Sequence, residues 1–468
     1  MSTSQSYLFW GFLAVYGIVM YLLSPRSKNA ESFYGGADAK GQPVGQWPLM
    51  MSIFISWIFA KSVTNAANLG ETYGIVGGLA YATYWLSIPV AGYVIYLIRT
   101  QTGAKSLQDF IVSRFGRLAA LGFAVAILIR LYNEIWSNTA VVGGYFGNVG
   151  ETGYYAAAVL FTLITLAYSL KGGLRSSIFT DVIQAIVFVV FVAAVLFYVL
   201  PVSDTGTLLT TGTFELGSGL DLLLVAALQI FSYPFHDPVL TDRGFINNER
   251  RMLKSFMIAG ALGFVTILVF SFIGIHAQLQ GIEGGGNAPA AVGKAMGLGA
   301  LFLMSVVMMT SAGSTLDSTF SSLAKSLAVD LPGLLRKVHP AAPSLRVGAL
   351  VMIAFAILGN LPMFAGTDIL KATTISGTMV MGLAPVFLFY RFVRWSPWSF
   401  HLSFWSGVAL GVIEVLGFLP QSWAIGTGKY AMLLGVNAWG LLICTAAFFV
   451  PLVFQAFIGQ PRPLDKAV

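Results

Sequence analysis

Stretches of about 20 predominantly apolar residues recur along the whole chain, and this recurrence constrains its fold more than any other feature. A segment of that length forms a helix long enough to cross the hydrocarbon core of a bilayer, where no water is present to satisfy an open backbone. Thirteen such segments are read from the sequence, at 6–24, 46–74, 77–98, 118–146, 153–170, 176–200, 219–236, 254–279, 292–328, 346–363, 368–392, 402–420 and 430–457. Only 10% of the 468 residues are charged, against about 25% in soluble domains. The chain is therefore expected to be an all-α polytopic membrane protein. Its single cysteine, Cys444, lies in an apolar run and excludes an intramolecular disulfide.

The first apolar segment follows MSTSQS, which has no basic residue, while Arg26 and Lys28 come after it. Charge on that side marks an anchor with its N-terminus outside rather than a signal peptide. With this orientation, 21 of the 26 Lys and Arg residues fall in inner connections or the C-terminal tail. Lys294, Lys371 and Lys429 lie near outer ends, and Lys61 and Arg130 lie within spans. The positive-inside rule thus accounts for the basic composition as orientation in a lipid bilayer, with a cytoplasmic C-terminus, and no nucleic acid is expected as partner. The shortness of the extramembrane segments favours a bacterial inner membrane.

Five segments starting near residue 46 and five starting near residue 219 have similar lengths. An odd number per unit gives the two units opposite orientations, the inverted-repeat plan of many secondary transporters. The chain then divides into an N-terminal helix and inner loop (1–45), a first repeat (46–200), a second repeat (201–393), and two C-terminal helices with a short tail (394–468). The leading segment of each repeat is interrupted by polar residues: Lys61, Ser62, Thr64, Asn65 and Asn68 in the first, and Gln229, Ser232, Tyr233, Pro234, His236 and Asp237 in the second. Proline removes a helical hydrogen bond and clashes with the preceding turn, so Ser232–Pro234 is expected to be unwound. Paired broken helices point to a solute site between the repeats; a plain proline kink is the simpler alternative.

The stretch GGLRSSIFTDVIQ (Gly172–Gln184) resembles the signature of the sodium:solute symporter family. TSAGSTLDSTFSSLAKSLAVD (Thr310–Asp330) is similar to that family's eighth core helix, and HDPVLTDRGFINNER (His236–Arg250) to its inner loop after the sixth. The resemblance implies a LeuT-type 5+5 inverted-repeat fold and sodium-coupled uptake of a small organic solute by alternating access. It places a sodium ion, Na+, between the first and eighth core helices, on the hydroxyls of Thr310 and Ser311 and the carbonyls of Ile55, Ile58 and Val307. A second sodium, present in some members, would involve Asp181 with Thr310 and Ser314. Oxygen donors on an unwound backbone suit a hard cation. Read from residue chemistry alone, these hydroxyls could equally bond their own helix backbone, and Asp181 could pair with Arg175 at the interface.

Lys61 stands about fourteen residues into its span, and Arg130 and Glu134 about twelve and sixteen into theirs, so a rise of 1.5 Å per residue puts all three near the midplane. Ionisable groups there normally face a cavity or one another. An ion pair between Lys61 and Glu134 is expected, with Arg130 one turn below Glu134. Three readings of Lys61 stand: it binds an anionic group of the solute, it takes the place of a coupling cation, or it forms a structural pair with Glu134. The candidate solute contacts are Lys61, Asn65, Asn68, Arg130, Asn133, Glu134, Gln229, Ser232 and Tyr233, with Trp57 and Trp136 as stacking or gating aromatics. The charged trio leans towards a carboxylate-bearing solute. His236 and Asp237 are expected to be solvated beside the basic loop, and EGGGNAP (Glu283–Pro289) reads as a flexible outer loop. There is no phosphate-binding GxxxxGK[ST] motif, nucleophile elbow or HExxH motif, so an ATP-driven pump or an enzyme is not expected. No obligate protein partner is evident. A sodium-independent or proton-coupled carrier with Lys61 in the cation's place, or a transporter-like sensor, are the alternatives.

Overall fold

The structure, a computed structural model, describes residues 3–38, 40–199, 205–336, 343–365 and 376–458, and the regular elements among them are all helical. In chain order the principal helices are α1 (Thr3–Leu23), α2 (Gln46–Trp57), α3 (Ala60–Thr83), α4 (Ser87–Thr102), α5 (Arg117–Gly143), α6 (Thr152–Val199) and α7 (Leu220–Gln229). They continue with α8 (Glu249–Gln280), α9 (Ala288–Met296), α10 (Leu298–Lys325), α11 (Leu345–Leu358), α12 (Leu383–Leu388), α13 (Pro397–Val415) and α14 (Ala431–Ile458). Among the described residues, eight helices or helix runs are long and apolar enough to cross a membrane. Large apolar side chains such as Ile18, Leu22, Val453 and Phe457 stay exposed on them, as a lipid-facing surface requires.

Two runs, Ala60–Thr102 and Thr152–Phe197, are 43 and 46 residues long, enough for two passages each. Each turns at a glycine with a left-handed backbone, Gly74 (φ 62°) and Gly173 (φ 56°). An added Cβ would lie 2.1 Å from the Thr211 carbonyl oxygen at Gly74 and 2.4 Å from that of Phe33 at Gly173. The GGL stretch is therefore a helix hinge. The segment 292–328 is not one span. Gly297 (φ 100°) separates the short α9 from α10, and α9 starts beneath an Asn287 cap whose side chain accepts from Ala290 N. Of the segment expected at 368–392, residues 368–375, including Lys371, lie outside the described residues.

Helices α3 and α8 pack backbone to backbone. A Cβ on Gly274 would come 1.6 Å from the Ala67 carbonyl oxygen, and one on Gly70 2.3 Å from that of Ser271. Small residues let membrane helices approach this closely. One end of the bundle is basic and tied by Arg99–Glu249 (2.8 Å) and by Lys325 to Asp242 (2.7 Å) and Asp330 (3.3 Å). At the opposite end Asn68 Nδ2 donates to the Gly286 carbonyl (2.7 Å), while Asn68 Oδ1 accepts from Ala288 N (2.9 Å) and Glu71 Oε1 from Gly284 N (2.7 Å). EGGGNAP is thus a lid held on α3 rather than a free loop.

Gly274→Ala is expected to lower stability by about 1–3 kcal/mol, because neither backbone can yield. Gly299→Ala, where a Cβ meets nothing within 4 Å, should be neutral. Thermal unfolding of both variants in detergent compares them.

Candidate solute and cation site

The first broken helix opens between α2 and α3, at Ile58 (φ −83°, ψ 79°) and Phe59 (φ −68°, ψ 143°). Lys61 to Asn68 are helical, so the interruption lies three residues before the polar run that suggested it. Buried polar side chains need partners, not an unwound backbone, and neighbouring helices supply them. The backbone groups freed at the break are also satisfied from outside. Ala60 N donates to Asn138 Oδ1 (3.0 Å), Ser311 Oγ donates to the Ile58 carbonyl, and Thr315 Oγ1 reaches the Ser56 carbonyl (3.3 Å). Helices α5 and α10 therefore brace the gap.

The second break follows α7. Ser232 (φ −125°, ψ −45°) leaves helical geometry, Tyr233–His236 form a 3₁₀ turn containing Pro234, and Asp237 caps the next turn by accepting from Val239 N (3.0 Å). The unwinding expected at Ser232–Pro234 is observed. His236 and Asp237 are not solvated, since both are buried. Asp237 Oδ2 accepts from Arg130 Nη2 (3.0 Å) and Trp57 Nε1 (3.1 Å). His236 Nδ1 lies 2.6 Å from the Tyr233 carbonyl.

Four buried charges connect these breaks. Lys61 Nζ donates to Glu134 Oε1 (2.7 Å) and Ser137 Oγ (3.1 Å). Glu134 also pairs with Arg130 one turn below, and its Oε2 accepts from Asn138 Nδ2 (3.0 Å). Arg130 completes the row at Asp237, with its guanidinium over the rings of Phe59 (5.2 Å) and Tyr233 (5.1 Å). Two cations and two anions alternate with all four side chains fully buried. The Lys61–Glu134 pair read from the sequence is present, and Asp237 is the member that sequence reasoning missed. Its position in an apparent interfacial loop hid it, because the break folds that loop back to the depth of Arg130.

Beside the quartet lies a cavity of about 20 Å³ lined by Trp57, Phe59, Ser62, Tyr81, Tyr84, Trp85 and Tyr233, room for one water. Asn65 Nδ2 donates to Tyr81 OH (3.1 Å), and Tyr84 OH donates to Gln229 Oε1 (2.8 Å), so these two candidates support the rim through tyrosines. Ser232 Oγ donates back to the Gln229 carbonyl (3.3 Å). Asn133 is buried on α5, and its carbonyl accepts from Ser137 Oγ (2.6 Å). Asn68 is away from the cavity, in the lid contact. Trp136 packs in a separate cluster with Ala140, Tyr154, Ala158 and Met363, because its side of α5 faces α6 rather than the breaks.

The candidate cation ligands gather where α2 meets α10. Thr310 Oγ1 lies 2.8 Å from the Val306 carbonyl and 3.0 Å from that of Val307, Ser311 faces Ile58, and the Ile55 carbonyl accepts Ile58 N (3.0 Å). Asp181 lies farther along. It accepts from Ser52 (2.5 Å), Ser56 (3.1 Å) and Ser314, and forms a 3.0 Å ion pair with Arg243. It does not pair with Arg175, whose Nη1 reaches the Arg26 carbonyl. The hinge at Gly173 sinks Asp181 two turns into a buried helix.

Glu134→Gln should lower stability by about 3–5 kcal/mol, since it leaves two buried cations facing one carboxylate. The double variant Lys61→Met/Glu134→Gln should recover a measurable part of that loss. A double-mutant cycle on thermal or denaturant unfolding gives the coupling.

Residues 39–213 match the model of the Sodium:solute symporter family. Solute carrier family 5 member 4A of Mus musculus is 24% identical over 169 residues, 35% of this chain and 25% of that protein. Sodium/glucose cotransporter 1 of Oryctolagus cuniculus is 24% identical over 185 residues, 38% of this chain and 27% of that protein. The aligned part thus spans about a quarter of the length of these relatives. A solved structure of the substrate-bound outward-open state of a Na+-coupled sialic acid symporter superposes with a TM-score of 0.73 at 15% identity, over 98% of this chain and 99% of that one. MHP1, a nucleobase-cation-symport-1 family transporter in a closed conformation, gives 0.55 at 14% identity over 91% and 94% of the two chains. Residues 39–213 thus resemble the Sodium:solute symporter family, and almost the whole chain has a LeuT-type fold.

Proposed function

We propose that the protein is a secondary active transporter that couples inward sodium movement to uptake of a small organic solute. The observation that carries this reading is the Ile58 carbonyl, released from its helix at the break and facing the Ser311 hydroxyl across the α2–α10 contact. The donors there are all oxygens: the carbonyls of Ile55, Ile58 and Val307 and the hydroxyls of Thr310 and Ser311. This set fits a hard monovalent cation. Sodium would supply one positive charge that draws the broken helix and α10 together, favouring the state that accepts solute from outside. Asp181 and Ser314 border this site. With Arg243 already balancing Asp181, a second sodium is not required there.

The solute is assigned to the space between the two breaks, where Trp57, Tyr84 and Tyr233 would contact it and Asn65 and Gln229 would orient the tyrosines. Lys61, Arg130 and Glu134 serve as a structural clamp, because each cation already has a carboxylate. The site therefore presents aromatic faces rather than a free positive charge, which turns the solute class away from a carboxylate. Asn68 and Glu71 act with the lid at the outer end, and Lys325, Asp242, Asp330, Arg99 and Glu249 close the inner end. In this reading the repeats span 46–200 and 201–393, the basic end faces the cytoplasm, the N-terminus lies outside, and the membrane is a bacterial inner membrane.

Purified protein should be stabilised against heat by sodium chloride more than by potassium chloride. Thr310→Ala/Ser311→Ala should weaken the apparent sodium affinity by about tenfold or more, as expected for loss of buried polar contacts. Sodium stabilisation unchanged in the double variant would remove the site from Thr310 and Ser311.

A further inference from the structure

Helix α10 carries another buried carboxylate that the sodium site does not use. Asp317 is fully buried and faces α6. Its Oδ1 lies 2.7 Å from Ser177 Oγ and 3.3 Å from Ser318 Oγ, and its Oδ2 lies 2.9 Å from Thr180 Oγ1. Every side-chain partner is a hydroxyl. Among the described residues no Lys, Arg or His stands within ion-pair distance of it, whereas Asp181 has Arg243 at 3.0 Å. An uncompensated carboxylate in the interior of a membrane protein is costly, and the cost disappears when it binds a cation.

The hydroxyl shell suits a proton as that cation, because each hydroxyl can donate to a carboxylate or accept from a carboxylic acid. Thr180 Oγ1 has one hydrogen but lies 3.0 Å from the carbonyls of both Ser176 and Ser177, as well as 2.9 Å from Asp317. A helical threonine can give its hydrogen to the carbonyl one turn back. Thr180 Oγ1 donates to Asp317 Oδ2 when the carboxyl is ionised, and with its hydrogen turned to the carbonyl one turn back it accepts a proton held on Oδ2 instead. Ser177 donates to the other carboxyl oxygen and also touches Ser318 Oγ (2.8 Å), which receives Arg243 Nη2 (2.8 Å). Asp317 thus senses Arg243 only through a hydroxyl.

The other titratable groups around α10 do not offer Asp317 a cation. From α6 come Asp181 and Tyr168, from α1 Tyr16, and from the segment after the second break Arg243. Lys61 on α3 and Arg130 and Glu134 on α5 are engaged in the quartet. Arg346 of α11, Glu31 before α2 and Lys294 of α9 are exposed.

We propose that Asp317 is a proton-binding site and that the proton is a second coupling cation of this carrier. This rests on reading the fold as an alternating-access transporter. In the closed arrangement Asp317 holds the proton on Oδ2. When the inner end opens, the O–H bond breaks, a water on that side takes the proton, and the carboxylate left behind accepts the hydroxyl hydrogens of Ser177, Thr180 and Ser318. Reprotonation from the outer side precedes the next closure.

Infrared spectroscopy of the full-length protein in detergent at about neutral pH tests this without knowledge of the solute. The carbonyl stretch of a protonated carboxylic acid should be present in the wild type, lost in Asp317→Asn and retained in Asp181→Asn. Thr180→Val, which keeps the carboxyl group but removes its acceptor, should shift the band rather than abolish it, so the assignment does not depend on one variant folding. Sodium-induced thermal stabilisation provides the coupling readout. Its midpoint should move with pH in the wild type, by up to about tenfold per pH unit, and be flat in Asp317→Asn. A band that survives in Asp317→Asn, is missing from the wild type, or vanishes on adding sodium chloride at fixed pH overturns the proposal; the last outcome makes Asp317 a sodium ligand. If sodium stabilises neither protein while the band behaves as stated, the sodium reading fails and the proton site stands.

Discussion

The alternating row of Lys61, Glu134, Arg130 and Asp237 is the constraint on which the arrangement of the core depends. Each ionisable side chain near the middle of a membrane costs roughly 2.5–3.5 kcal/mol to insert. The penalty is offset only if the four close on one another, which requires α3, α5 and the second break to meet at one depth. Hydrophobic packing cannot impose that registration here, because lipid is as apolar as the helix surfaces and small-residue contacts such as Gly274 with Ala67 tolerate sliding better than charges do. The quartet also reaches the cavity wall: Trp57 bonds Asp237 and Tyr233 stacks on Arg130. The position of the aromatic cage follows from the position of the charges.

Broken helices inside a bilayer create unsatisfied backbone groups, and the way these are satisfied gives the breaks their use. At Ile58 and Phe59 the partners are side chains of α5 and α10 rather than the segment itself. The break is therefore a joint among three helices, stable only while they are together. On the proposed reading, a cation that prefers the Ile58 carbonyl and Ser311 hydroxyl to their mutual hydrogen bond would change the spacing of α2 and α10 directly, and with it the access to the cavity on the other side of Trp57. Such coupling would need no long pathway in this geometry, because ligand and joint would share atoms.

Much of this was legible in the sequence where chemistry is local. The boundary between the segments at 153–170 and 176–200, the proline-bearing break and the Lys61–Glu134 pair follow from the run of apolar residues, proline and the cost of buried charge. What depends on the chain folding back was not legible. Asp237 and Arg243 sit in a basic stretch that reads as a loop, yet the break carries them to Arg130 and Asp181. Asn68 lies on the same polar run as Lys61 but seven residues, about two turns, farther along α3, where the lid rather than the cavity meets it. Trp136 lies two residues from Glu134 and so points to another face of α5. The first break could not be placed because Ile58 and Phe59 carry no helix-breaking signal; their non-helical backbone is braced by Asn138 and Ser311, residues distant in sequence.

Charge balance separates the two polar layers of the core. In the quartet, two cations meet two anions and the layer is neutral by itself, which fits the clamp role proposed for it. In the layer between α6 and α10, Arg243 meets Asp181 while Asp317 has only hydroxyls, so its charge depends on what it binds. Hydroxyls suit that role because each can donate to a carboxylate or accept from a carboxylic acid without moving. A lysine or arginine in place of Ser177 or Thr180 would hold the charge permanently and abolish the difference between the states. The balanced layer keeps the helices in register, and on the proposed reading the unbalanced one lets the core respond to a cation.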